Sequence, residues 1–154
     1  MFRPLKIALA ATALAGAFAA PALAGECPAN QRMVDATKPA THAAKGVTDT
    51  VIGSVDLEKE KVALKSHQLR LRRLVVQPGG IVPWHSHDAR PAVIHIVSGE
   101  IVEYASNCKV PIVHKAGETA TETKGVAHWW QNTGRVPVVL LSADIWHDPN
   151  DKNM

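Results

Sequence analysis

Two histidines one residue apart, His85 and His87, and a third much further along, His128, are the side chains in this sequence best suited to hold a metal ion. Neutral imidazole is the commonest metal ligand among side chains. Residues 81–87 read as an extended run. Alternation along a strand then sends His85 and His87 to one face, where both can reach the same ion. A His-x-His pair alone is a weak signal, because surface and structural histidines fall at that spacing too. His128 opens a later extended run just after the turn Lys124-Gly125, from where it can bring a third nitrogen.

The small residues around these histidines strengthen the signal. Gly79 is followed by five residues, then His85-Ser86-His87, a short gap and a closing glycine, Gly99. Gly117 is followed by seven residues, Gly125, two more, His128, three more and Asn132. Glycine suits tight reversals at Gly79-Gly80 and Ser98-Gly99, and Asn132 can satisfy the backbone groups of a turn. Two partial motifs in this order resemble those of the cupin superfamily, over about residues 50–146. The resemblance implies an all-β single domain, the cupin double-stranded β-helix (a jelly-roll barrel), and a divalent metal ion held by His85, His87 and His128.

Two positions depart from the family pattern. Thr123 stands where the second motif usually has proline, a minor change. Ala92 stands where the first motif usually has a metal-binding glutamate, and alanine cannot ligate. Three neutral imidazoles leave the 2+ charge uncompensated, which implies a more Lewis-acidic centre with a stronger pull on anionic ligands. The competing expectation is a degenerate site that lost its metal with its glutamate. Three-histidine cupin sites are similar to those of non-haem iron dioxygenases acting on thiols or diketones. Fe2+ is therefore favoured, with Zn2+, Ni2+ or Mn2+ compatible. The function implied is an exported dioxygenase-like oxidoreductase acting on a small chelating anionic molecule. The alternative is a non-catalytic periplasmic module that captures a small ligand or metal. A metal-dependent isomerase or decarboxylase is a weaker third reading, since fold does not dictate chemistry. An all-histidine site should release its ion below about pH 6.

Other residues carry less. Arg90 follows His87 and could grip a substrate carboxylate with two hydrogen bonds, although an exposed loop arginine would look the same. Trp84 and Trp130 flank the histidines as candidate walls of a ligand pocket, with barrel core as the plainer role. His95 should face away from Ala92. Glu100 and Glu103 read as solvated, and His42, His67, His114 and His147 as surface or structural. No serine or cysteine nucleophile arrangement is present, and no general acid or base is identifiable.

The elements that must position these side chains are short β-type runs separated by turn signals. They span residues 50–57, 62–64, 69–77, 81–87, 92–97, 101–105, 110–114, 118–122, 127–131 and 136–145. The Pro78-Gly79-Gly80 turn separates the third from the fourth. Many short strands without helical periodicity argue for a sandwich or barrel. Residues 1–24 read as a secretory signal, 25–49 as an arm and 50–148 as the barrel. Arg3 and Lys6 begin the signal, 14 apolar residues follow, and Ala22-Leu23-Ala24 offers a cleavage site. That apolar stretch is shorter than the ~20 residues of a membrane-spanning helix, so no stable membrane insertion is expected after cleavage. An uncleaved anchor is the alternative.

Cleavage removes two cations and lowers the formal charge from +3 to +1 (3 − 2), which leaves no footprint for nucleic acid. The cluster Arg70, Arg72 and Arg73 reads as local. The expected location is periplasmic or secreted, where Cys27 and Cys108 can pair; two free thiols are the alternative. The partner implied is a small-molecule ligand, and a homodimer is implied by resemblance.

Overall fold

The computed structural model describes residues 25–147, so the proposed signal segment lies outside the described residues. Eight strands build the molecule: β1 (Lys45–Asp56), β2 (Gln68–Ser86), β3 (Ala92–Ser98), β4 (Glu100–Ala105), β5 (Ile112–Lys115), β6 (Thr119–Glu122), β7 (Ala127–Gln131) and β8 (Val138–Trp146). Their order is β5-β4-β7-β2-β8-β3-β6, with β1 on β2, and every named pairing is antiparallel. Among the described residues the one helical element is a single 3-10 turn, Ala29–Gln31. No helix among them is long and apolar enough to cross a membrane.

The barrel is all-β, as the motif resemblance implies. Alternation does most of the work. In β3, Ala92, Ile94 and Ile96 are buried while Val93, His95 and Val97 are exposed. In β8 the apolar run Val138-Val139-Leu140-Leu141 still alternates, Val138 and Leu140 facing the core. Val76, Ile96, Ile101, Trp130 and Val138 are almost wholly buried and form the centre of that core.

One long strand departs from the sequence reading. Pro78-Gly79-Gly80 does not end a strand; β2 runs through it for 19 residues. Its first half pairs with β1 and β8, and its second half with β7, so this one strand joins the β8 side of the sheet to the β7 side. Gly80 is needed there, since a Cβ would lie 2.7 Å from the Gln77 carbonyl oxygen. This junction is tied to the far side by Asn132. The Gly79 N–H donates to the Asn132 carbonyl at 2.9 Å, and the Asn132 N–H to that of Gly80 at 3.0 Å. The Asn132 amide donates to the Val76 and Val136 carbonyls and accepts from the Gly134 N–H, the satisfaction of backbone groups expected of it.

Other boundaries also moved. β1 begins at Lys45 rather than near residue 50, because its pairing to β2 reaches Ile81. Residues 62–64 are turn rather than strand, with Ala63 at φ 49°. β5 and β8 start after Pro111 and Pro137, which have no N–H to give to a ladder.

The N-terminal arm packs beside the barrel. Cys27 and Cys108 form a disulfide. Close by, Met33 and Ala36 donate backbone hydrogen bonds to Asn107 and Ser106, and Thr37 donates to the Cys108 carbonyl.

Candidate metal centre

His85 near the end of β2 and His128 on β7 are directly opposite each other in an antiparallel pair. His87 lies just past β2, where its N–H donates to the Val126 carbonyl at 2.9 Å. All three rings are buried and turned inward, and their Nε2 atoms lie 3.0–3.1 Å from one another.

What suits this cluster to a cation is where the other ring nitrogens point. His85 Nδ1–H donates to the Pro83 carbonyl at 2.9 Å and His87 Nδ1–H to the Arg90 carbonyl at 2.8 Å. His128 Nδ1 lies 2.6 Å from Glu103 Oε1, and a carboxylate at that distance requires the proton on this nitrogen. The Trp130 indole N–H also approaches that nitrogen at 3.1 Å, but the shorter, charged contact decides the tautomer. Three bare Nε2 lone pairs therefore face one another. Such a cluster is repulsive until a cation sits among them. An ion about 2.1 Å from each nitrogen at right angles spaces them by about 3.0 Å, whereas tetrahedral spacing needs about 3.4 Å. The observed triangle matches the right-angled set, which leaves the opposite face open.

The electrostatics agree. Burial, the neighbouring His128 and the nearby Arg90 pull His85 down to about 2 and His87 down to about 4, so both stay neutral and able to ligate at physiological pH. Burial also pulls His128 down, but Glu103 and Glu122 outweigh it, and its net shift is upward.

Glu103 corrects the sequence reading. It is buried, not solvated, and bridges two histidines: Oε1 to His128 and Oε2 to His114 Nε2–H at 2.8 Å. Burial alone would raise its pKa, but the hydrogen bonds from His114 and His128 bring it down to about 2. His114 is fully buried and stacks on Trp130, with ring centroids 4.5 Å apart. The alternation Ile101, Glu103, Ala105 on β4 was the available signal for an inward Glu103.

A second buried carboxylate, Glu122 on β6, drew no notice in the sequence. Its Oε2 lies 3.5 Å from His128 Nδ1. Burial raises its pKa to about 7, with Glu103 adding to the rise and His128 opposing it. Glu103 and Glu122 also line a cavity of about 320 Å³ bordered by Cys27 and Arg32 of the arm.

The open face of the histidines meets a chamber of only about 20 Å³, walled by Leu74, Val82, Ile94, Trp130 and Leu140, with Arg72 and Ser142 as its other polar residues. The Ser142 hydroxyl is buried without a hydrogen-bond partner among the described residues. Trp130 thus belongs to the chamber wall. Trp84, one residue from His85, points the other way and lines a separate groove with Lys38 and Pro39 of the arm. Arg90 is buried rather than an exposed loop residue, its guanidinium 3.9 Å from Asp144. Asp144 also accepts two hydrogen bonds from Arg70 and lies 3.3 Å from Arg72, which in turn donates to Asp49. Arg70 and Arg72 are therefore local, as expected. His95 faces outward and bonds Thr119.

A jelly-roll barrel with three converging imidazoles is the architecture of a metal-binding cupin, and residues 72–144 match the family profile described as Cupin domain. The chain carries a cupin domain over those residues. Among curated proteins it is similar to Nectarin-1 from Nicotiana langsdorffii x Nicotiana sanderae, 31% identical over 104 residues, covering 64% of this chain and 45% of that protein. It is also similar to germin-like protein subfamily 2 member 2 from Arabidopsis thaliana, 29% identical over 89 residues, covering 54% and 40%. The chain thus spans less than half the length of these relatives.

Two solved structures share the fold. One is an oxalate oxidase in complex with the substrate analogue glycolate (TM-score 0.52, 20% identity, 74% of this chain and 58% of that one). The other is the Cnp3 cupin domain of Schizosaccharomyces pombe (TM-score 0.51, 14% identity, 70% and 66%).

Proposed function

We propose that His85, His87 and His128 hold one divalent metal ion, and that the protein is an exported, dioxygenase-like oxidoreductase for a small chelating anionic molecule. The observation that carries this reading is the triangle of proton-free Nε2 atoms, each ring fixed by an acceptor at its Nδ1. Fe2+ is the favoured ion. When bound, such an ion supplies Lewis acidity and, if iron, one-electron chemistry. The chain's own residues set the rest. Glu103 keeps the proton on His128 Nδ1 and so aims its lone pair inward. Leu74, Val82, Ile94, Trp130 and Leu140 wall the open face, and Ser142 offers its unpartnered hydroxyl to an anionic ligand there. The likeness to a structure titled oxalate oxidase agrees with a small acid as ligand. The disulfide supports export, because such bonds persist in oxidising compartments.

The small chamber favours a second reading, a module that captures a ligand or metal without turnover. Elemental analysis of the purified protein should find one divalent ion per chain, lost in H85A, H87A and H128A. Oxygen consumption with small chelating acids would then support the oxidoreductase; tight binding without turnover would support capture. A wild-type protein without divalent metal, or variants that all keep it, would sink both.

A further inference from the structure

The three ligand nitrogens carry no negative charge, and Ala92 removes the carboxylate that cupins usually bring. Yet a carboxylate stands next door. In the β3–β6 ladder Ala92 is directly opposite Glu122. Direct antiparallel partners point to the same face with Cβ atoms about 4.5–5.5 Å apart. Both face the barrel interior, with Ala92 6% and Glu122 3% exposed. The alanine methyl leaves room for the longer side chain beside it.

Glu122 is otherwise unemployed. Its contact is with His128 Nδ1 at 3.5 Å, and it accepts no hydrogen bond from the described residues, since the His128 proton goes to Glu103. Glu103 is committed at both oxygens, to His128 and His114. The inward arginines Arg70, Arg72 and Arg90 all lie against Asp144, and Arg72 also against Asp49. A buried carboxylate without a donor is costly to hold in its ionised form unless a cation lies near it. The cation available is the one behind His128.

Resting on the metal reading above, we propose that Glu122 is the balancing negative charge of this metal centre, moved from the coordination sphere at position 92 to the facing strand. It acts through His128 as a positioning residue rather than as a ligand. The site is then neither degenerate nor left with three neutral ligands alone.

Titration of the metal-free protein with Mn2+ and with Zn2+, followed by calorimetry, tests this without any substrate. E122Q keeps shape and loses charge; E122D keeps charge and loses shape. The expected result is a 10- to 100-fold loss of affinity in E122Q, the range seen when outer partners of metal ligands are removed. A smaller loss is expected in E122D, and recovery in the double variant A92E/E122Q. A purely structural role predicts the reverse order, with E122D the weaker binder. E122Q within about twofold of wild type, or E122D weaker than E122Q, would overturn the proposal while the histidine site stands. Wild type that binds neither ion would instead overturn the metal reading itself.

Discussion

Protonation separates the three histidines at the residue scale. Sequence alone placed metal release below about pH 6, the ordinary range for imidazole. Burial changes that: His87 has a pKa of about 4 in the fold against 6.5 as its ordinary value, and His85 about 2. His128 moves the other way and is the nitrogen whose proton competes first with an ion. For His87 the unfolded chain takes up the proton first as the solution is acidified. Its contribution to stability is intact above pH 6.5 and is lost as the pH falls from 6.5 towards 4. H87Q, which lacks the titrating group, should therefore lose less stability over that interval than wild type. Urea unfolding in the presence of chelator reads this, and equal pH slopes for the two proteins would contradict it.

Corners and buried ion clusters carry the argument at the scale of elements. β2 can run on from its β8 partner to its β7 partner because Gly80 has no Cβ, which would lie 2.7 Å from the Gln77 carbonyl oxygen. G80A should cost roughly 1–3 kcal/mol, as overpacking of a tight site does. It should also loosen His85, since the second half of β2 carries that residue. A fall in denaturation midpoint together with weaker metal binding is the expected pair of results. The first half of β2 depends on Asp144 of β8, which holds Arg70 and approaches Arg72 and Arg90. Removing one member of a buried ion cluster leaves uncompensated charge. D144A should destabilise by about 3–5 kcal/mol in chemical denaturation, and a loss below about 1 kcal/mol would show the cluster to be dispensable.

For the molecule as a whole, the arm is fastened by a single covalent tie, Cys27 to Cys108, across a sequence separation of 81. In the chain-entropy treatment a loop of that length contributes about 4.5 kcal/mol. The same arm borders the cavity that reaches Glu103 and Glu122. Reduction with dithiothreitol should lower the melting temperature. The barrel core of Ile96, Ile101, Trp130 and Val138 does not involve the arm, so a folded state should persist. Melting curves with and without reductant, followed by circular dichroism, check both parts.

Much of this was written locally. His85 and His87 share a face because strands alternate. The spacing around Gly79, Gly99, Gly125 and Asn132 marks corners, because glycine and asparagine meet backbone demands that few other residues can. β3, β4 and β7 were legible within a residue or so for the same reason. What the sequence could not decide is which way a polar residue in an alternating strand faces, and across from what. Glu103 and Glu122 have the composition of solvated positions, and only the closing of the barrel turned them inward, onto His128. Likewise Pro78-Gly79-Gly80 is a strand terminator locally, yet partners on both sides carry β2 through it. Facing and pairing are non-local: they depend on which strand arrives alongside, and that is settled only when the barrel closes.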